Sequence, residues 1–304
     1  ASITTEAYHT IDRYATFITT LGTWTQSQST DVPTGQGFAK SLKMDCTTAD
    51  ASPASGDRLL IQQRIEGQNL QYLKKGTSSA ESTTISFWVK SAKTGTYIVE
   101  LYDNNNTRAI SNSYTISSAN TWEKKTLTYA GDTTGAFSNN SSTSLILQFW
   151  LASGTDYTSG TLSTSWSSIT NANRAVGQVN LADSTSNEWY VTGVQLEAGS
   201  VASDFEFLPY DVNFTRCQRY CQVVGDNPDG IDLSKGSNMG MYYTATGFYG
   251  NTFFQTVMRA TPSASIQGGG DGMRVYSNNA YLTSAAIGLD GATASNMSFA
   301  VSTS

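Results

Sequence analysis

Between residues 83 and 152, apolar and polar side chains alternate with a period of two through five successive segments. In TTISFWVK (83–90), Ile85, Phe87 and Val89 fall on one side and Ser86, Trp88 and Lys90 on the other. GTYIVELY (95–102), residues 108–116, WEKKTLTY (122–129) and SLILQFWLA (144–152) continue the series, parted by turn formers such as the run Asp103, Asn104, Asn105, Asn106. Side chains of an extended chain point alternately to opposite faces, so such segments read as half-buried antiparallel strands. Strands at this spacing, with no helical stretch of ten or more residues among them, predict an all-β fold, and specifically a jelly-roll β-sandwich.

The flanking sequence extends the pattern. Residues 1–40 read as a strand and loop, SLKMDC (41–46) turns Leu42, Met44 and Cys46 inward, 59–66 is a further strand, and 67–73 a short turn or helix. From 153 to 187 runs a long loop rich in Ser, Thr, Gly and Asn, with one expected strand at Val176–Leu181. The passage NEWYVTGVQLEAGSVASDFEFLPYDVNFTRCQRYCQ (187–222) then changes character midway. Trp189, Val191, Val194, Leu196 and the aromatics Phe205 and Phe207 nearly alternate, interrupted at Gly193, whereas Phe214, Cys217, Tyr220, Cys221 and Val224 recur at helical spacing. Short β segments follow at 238–246, 252–257, 263–267, 273–277, 280–286 and 297–301. The expected organisation is a jelly roll over 1–209, a connecting helix over 210–224 and a smaller C-terminal β-sandwich over 225–304. About eighty residues make a marginal domain alone, so oligomerisation is expected to supply burial.

Composition excludes several functions. A net charge of −6 with no Lys/Arg run removes the electrostatic basis of nucleic-acid binding. The apolar run Leu145–Leu151 is broken by Gln148 and falls far short of the roughly 20 residues that span a bilayer, so no membrane insertion is expected. The N-terminal ASITTEAYHT lacks the charged start and apolar centre of a secretion signal. Aromatics reach 11% of the chain, which argues against disorder despite only 14% charged residues. Cysteines 46, 217 and 221 form no disulfide framework and read as small core thiols of a reducing compartment.

Catalytic chemistry is poorly represented. A nucleophile triad needs a histidine, and the single one, His9, lies near the terminus among polar residues. The carboxylates Glu66, Asp103, Glu188, Glu197, Asp204 and Glu206 sit in no recognisable catalytic motif, and Gly268-Gly269-Gly270-Asp271 opens no helix. No enzyme and no cofactor are expected. No metal is expected either, although Asp12, Asp57, Glu66 and Glu197 offer hard-cation ligands of the kind that hold a structural calcium. Binding chemistry is better supplied. Sugars are held by flat aromatic faces beside amide, carboxylate and guanidinium groups. Loop positions point to Trp24, Tyr157, Trp166 and Arg174 in the first domain and to Tyr249 and Tyr276 in the second as candidate glycan-binding residues. Trp88 and Trp150 are set aside because they lie inside strands.

The segment WYVTGVQLEAGS, then SDFEFLPY and CQRYCQ, resembles a recurring passage in virion proteins of tailed bacteriophages, where a closing jelly-roll strand precedes a short helix. The matching positions are Gly193, Gln195, Leu196, Glu197, Gly199, Phe205, Glu206, Cys217, Gln218, Arg219 and Tyr220. GQVNLADS and SFWVK upstream and MRATP downstream are also similar, so the resemblance covers most of residues 40–262. It departs at Cys221, where an aromatic is usual. Such proteins are tail fibres, appendages or head-associated fibres whose jelly roll looks like a carbohydrate-binding module. The resemblance implies a non-enzymatic virion component assembled in the host cytoplasm as a homotrimer, with other virion proteins and host-surface glycans as partners. A capsid decoration, head-fibre or collar protein without a glycan ligand is the alternative. It transfers no ligand residue. The helical face of Phe214, Cys217, Tyr220 and Cys221 is expected to lie in the oligomer interface.

Overall fold

The computed structural model describes residues 2–8, 13–222, 239–242, 247–261, 274–277, 280–293 and 295–303. The chain divides into two compact units, 1–206 and 207–304. The strands are β1 (Ser2–Ile3), β2 (Ala7–Tyr8), β3 (Tyr14–Thr19), β4 (Thr23–Ser29), β5 (Ser41–Thr48), β6 (Arg58–Glu66), β7 (Thr83–Ser91), β8 (Gly95–Asp103), β9 (Arg108–Ile116), β10 (Glu123–Tyr129), β11 (Thr143–Ser153), β12 (Ser167–Ser168) and β13 (Glu188–Ala198) in the first unit. In the second they are β14 (Met239–Tyr242), β15 (Gly247–Phe253), β16 (Arg274–Ser277), β17 (Ala280–Ala292) and β18 (Asn296–Thr303). Two α-helices are described, α1 (Thr155–Thr158) and α2 (Tyr210–Gln218), beside four single turns of 3-10 helix. The fold is all-β, as the alternation predicts.

The first unit is a sandwich of two antiparallel sheets, one ordered β1-β4-β5-β13-β7-β10 and the other β12-β9-β8-β11-β6-β3-β2. Consecutive strands such as β5, β6, β7 and β8 alternate between the sheets, the crossing pattern of a jelly roll. Between them lies one core that includes Trp24, Met44, Phe87, Val89, Tyr97, Val99, Leu147, Phe149, Trp189 and Val191. The ring of Phe87 meets Phe149 edge-on at 5.2 Å, and Trp189 lies 5.6 Å from Phe149. A fully buried aromatic of this kind contributes roughly 1.5–3 kcal/mol through the water it sheds.

β13 is the central strand of the first sheet. It pairs with β5 from Glu188 to Val191 and with β7 along its length, with a shift of register between Thr192 and Gln195. Gly193, at the irregularity, has φ +59, and a Cβ there would lie 2.5 Å from the Phe38 ring. The interruption that the sequence shows at Gly193 is thus a bulge, which makes room for Phe38 and its edge-on partner Phe205.

Three expectations are corrected. Val176–Leu181 is not a strand. The segment turns at Gly177 (φ +89), the Gln178 side chain accepts the Ile98 N–H at 2.8 Å, and Val179 N donates to Thr96 O at 2.9 Å, so it caps β8. The helix expected over 210–224 is regular only to Gln218; Tyr220 and Cys221 follow in a turn on the Cys217 carbonyl, and Arg219 O accepts from Arg259 N at 2.9 Å. In the second unit the described strands form one antiparallel sheet, ordered β14-β15-β18-β17-β16. The segment expected over 252–257 is extended only through Phe253, and the segment at 263–267 lies outside the described residues.

Candidate functional site

The outward faces of the two sheets differ in what covers them. On the second sheet, Leu60, Ile98 and Trp150 point away from the main core, and the chain from 154 to 175 lies across them with Tyr157 and Ala175 to form a second cluster. Arg174 is the polar centre of this cover. Its Nε and Nη2 donate to Glu100 at 2.9 and 2.8 Å and Nη2 to Gln148 at 2.9 Å, while the guanidinium lies 5.2 Å from the Trp150 ring. Glu100 is fully buried, so this is an ion pair removed from water. Burial works against charge on Arg174, but the Glu100 carboxylate outweighs it and holds the guanidinium above its ordinary pKa. The long polar loop has a packing purpose: it covers apolar side chains that the strand alternation turns outward.

On the first sheet the outward face carries an aromatic and charged platform. Strand pairing places Ser27, Lys43, Tyr190 and Lys90 in one row across β4, β5, β13 and β7, with Trp122 just ahead of β10 beside Lys90. A neighbouring row runs Thr192, Trp88, Lys124. Lys90 Nζ lies 4.3 Å above the Tyr190 ring and 5.8 Å from Trp122, and Lys43 Nζ lies 5.7 Å from Tyr190. Trp122 and Tyr190 meet edge-on at 6.2 Å. Tyr190 is buried beneath this layer, whereas Trp122 and Trp88 are partly exposed.

Two carboxylates hold the platform together. Asp31 takes the indole N–H of Trp122 at 2.9 Å and pairs with Lys90. Glu188 accepts the Tyr190 hydroxyl at 2.6 Å and Lys43 Nζ at 2.6 Å, and Asp45 stands 3.7 Å from the same ammonium. Burial raises the Asp31 and Glu188 carboxyls, but their lysine and aromatic donors outweigh it, and both end below the usual carboxylate values. Burial likewise opposes charge on Lys43, which the Glu188 hydrogen bond and nearby negative charge overcome, raising its pKa. Tyr190 is pushed up to about 12, first by burial and then by its bond to Glu188. Near neutral pH the Asp31 and Glu188 carboxylates and the Lys43 ammonium are therefore charged, while the Tyr190 hydroxyl keeps its proton and donates it to Glu188.

The candidates from the sequence lie elsewhere. Trp24 is fully buried in the core, its indole N–H on Leu21 O at 2.8 Å, and presents no face to solvent. Tyr157 is buried on α1 against Trp150 at 5.4 Å, and Arg174 is committed to Glu100. Trp166 is half-buried and donates to Ala130 O at 2.7 Å. The structure brings Tyr157 and Arg174 together and places Trp24 and Trp166 apart from them. Tyr249 and Tyr276 lie on β15 and β16, and their side chains fall outside the described part. On and after α2, Phe214 and Tyr220 are exposed (48% and 40%), Cys221 is exposed and Cys217 half-buried, and Phe214 stacks on Tyr210 at 5.7 Å.

Asp57 accepts from Thr20 and Ala54, Glu66 from Gln68 and Glu197 from Ser203; Asp12 and His9 lie outside the described residues. Among the described residues no three His, Cys, Asp or Glu side chains gather, and no helix is long and apolar enough to cross a membrane. A concavity of about 380 Å³ opens beside Gln71, Lys74 and Phe137. The Lys75 ammonium at its edge is tied to Asp103 at 2.5 Å and Asp132 at 3.0 Å. The sequence signal for the platform was the alternation itself, which puts Trp88 and Lys90 opposite Ile85, Phe87 and Val89. Trp122 headed the segment read as a strand over 122–129, but β10 begins at Glu123, and no local pattern marked the meeting of Trp122 with Asp31.

No protein-family model and no curated protein sequence matches the chain. Among solved structures, the enzymatically active domain of tailspike protein 4 of bacteriophage CBA120 is similar over 61% of this chain and 19% of its own, at 18% identity and TM-score 0.34. The chain thus spans about a fifth of that protein's length. A family 11 carbohydrate-binding module of Clostridium thermocellum, in complex with a β-1,3-1,4-mixed-linked tetrasaccharide, is similar over 63% of this chain and 91% of its own, at 8% identity and TM-score 0.33. TmCBM61, in complex with β-1,4-galactotriose, is similar over 58% and 88%, at 9% identity and TM-score 0.29. At these scores the reading of the site rests on the chain's own geometry.

Proposed function

We propose that this chain is a non-enzymatic adhesion protein of a bacteriophage virion, a tail fibre or receptor-binding protein, whose first unit binds host-surface glycans. The observation that carries the reading is the Lys43–Tyr190–Lys90–Trp122 row on the outward face of the first sheet. Partly exposed indoles offer flat faces for sugar C–H surfaces, and fixed carboxylates and ammoniums beside them meet hydroxyls. The virion assignment is supported by the resemblance over 176–222, and with it go assembly in the host cytoplasm, a homotrimer and contacts to other virion proteins. No cofactor or metal enters this function.

The test is a glycan array probed with the full chain, alongside binding to host cells. Retention of defined glycans by the wild type and its loss in Trp122→Ala is the expected result. A correctly assembled protein that holds no glycan and no cell would overturn the proposal.

A second reading has its own observation. Phe207, Leu208, Tyr210 and Phe214 are all exposed in the second unit, Tyr210 at 81%, an apolar surface suited to packing within a particle. A capsid decoration, head-fibre or collar protein would use that surface and no glycan. Locating the chain on intact particles, at the tail or on the capsid, separates the two.

A further inference from the structure

Each carboxylate that anchors a platform ring also holds a lysine. Asp31 binds Trp122 Nε1 and Lys90, and Glu188 binds Tyr190 Oη and Lys43. We propose that Asp31 and Glu188 set the ligand class of this surface: by pairing off both lysines they make it a receptor for neutral sugars and close it to carboxylated or sulfated ones. The inference rests on the glycan-binding reading above.

An acidic sugar needs a cation free to meet it, and here both ammoniums of the row are already engaged. Lys43 Nζ has Glu188 at 2.6 Å and Asp45 at 3.7 Å, and Lys90 has Asp31. A third lysine, Lys124, is exposed on β10 one row away, beside Trp88. Along the row itself, then, the two ammoniums of Lys43 and Lys90 meet three carboxylates, Asp31, Asp45 and Glu188. An incoming carboxylate or sulfate would have to displace one of these or lie beside it, and like charges forced together over low-dielectric rings repel strongly. A neutral sugar meets no such barrier. Its C–H surface can cover the exposed parts of Trp122 and Trp88, and its hydroxyls can donate to the remaining lone pairs of the carboxylates, giving charge-assisted hydrogen bonds. The same two residues thus orient the rings and exclude the wrong charge.

The test compares wild type, Asp31→Asn and Glu188→Gln, each as the full chain, on an array of neutral hexose oligosaccharides and their uronate- and sialate-bearing counterparts, with titration of the best members. The wild type is expected to favour the neutral partner of each pair by about tenfold or more, with less than about a twofold change in affinity between 50 and 500 mM NaCl. Either variant keeps both ring-anchoring acceptor oxygens; Asp31→Asn frees Lys90 and is expected to gain about tenfold for the acidic partner, whereas Glu188→Gln leaves Lys43 with Asp45 alone and is expected to gain less. Preference of the wild type for acidic glycans, or a steep fall of its affinity with salt, overturns the inference, as do two folded variants that remain blind to acidic members. The wild-type ratio decides the matter even where a variant fails to fold. Absence of any glycan binding by the wild type instead sinks the underlying reading.

Discussion

The indole N–H of Trp122 donates to Asp31 Oδ1 at 2.9 Å, joining the approach to β10 to the loop that follows β4 across the outward face of the first sheet. That bond orients a partly exposed ring that no strand holds. Trp122→Phe keeps an aromatic but loses the donor, so glycan affinity is expected to fall about three- to tenfold, or roughly 0.7–1.4 kcal/mol. Thermal unfolding of the same variant measures whether the loss is local; a midpoint close to wild type is expected.

Arg174 and Glu100 form the ion pair under the 154–175 cover, with Glu100 fully buried. Arg174→Met leaves that carboxylate without its cation and is expected to destabilise the first unit by about 3–5 kcal/mol. Adding Glu100→Gln removes the stranded charge and is expected to recover much of the loss. Denaturant unfolding of the two single variants and the double variant gives the coupling directly.

Gly193 combines a left-handed backbone with the Phe38 ring pressed where a Cβ would stand. Gly193→Ala is expected to cost about 2 kcal/mol or more, of which roughly 1–2 comes from the backbone conformation and the remainder from overpacking. Since Phe38→Ala opens space but leaves φ unchanged, the second substitution should make the alanine less costly without cancelling its effect in chemical denaturation.

The platform charges give the first unit a pH dependence with a definite sign. Asp31 and Glu188 have folded pKa values below their unfolded ones, so their contribution is present above about pH 4 and lost as pH falls through the lowered values. Lys43 has a raised folded value, so its contribution is present below about pH 10 and lost as pH rises through that value. The unfolding midpoint should therefore fall at both extremes. In the double variant Asp31→Asn, Glu188→Gln, differential calorimetry is expected to show a shallower acid limb.

Tyr210 and Phe214 stack on an exposed helix face. In the proposed trimer this face is covered by neighbouring copies, and Phe214→Asp is expected to dissociate the assembly while the first unit unfolds at its wild-type midpoint. Light scattering coupled to size exclusion measures the mass, and an unchanged trimer would place this face outside the interface.

The alternation of Ile85, Phe87 and Val89 against Ser86, Trp88 and Lys90 was enough to predict the sandwich, because an extended chain has only two faces and one of them must leave water. The interruption at Gly193 likewise marked the irregularity in β13. For the site, local pattern was insufficient. Loop position suggested Trp24, Tyr157 and Arg174, but Trp24 lies on β4 in the main core, and a loop residue is exposed only if nothing beneath it needs cover. Here Leu60, Ile98 and Trp150 on the far face did need it. The sequence by itself determined the all-β class and the parity of the side chains from 83 to 90, but not the division of residues 1–40 into four strands or the cap formed by 176–181. Only the tertiary structure decided what covers each outward face and which residues meet on it. Lys43, Lys90, Trp122 and Tyr190 come from four separate segments, and strand order and register, set by burial of the opposite face, bring them into one row.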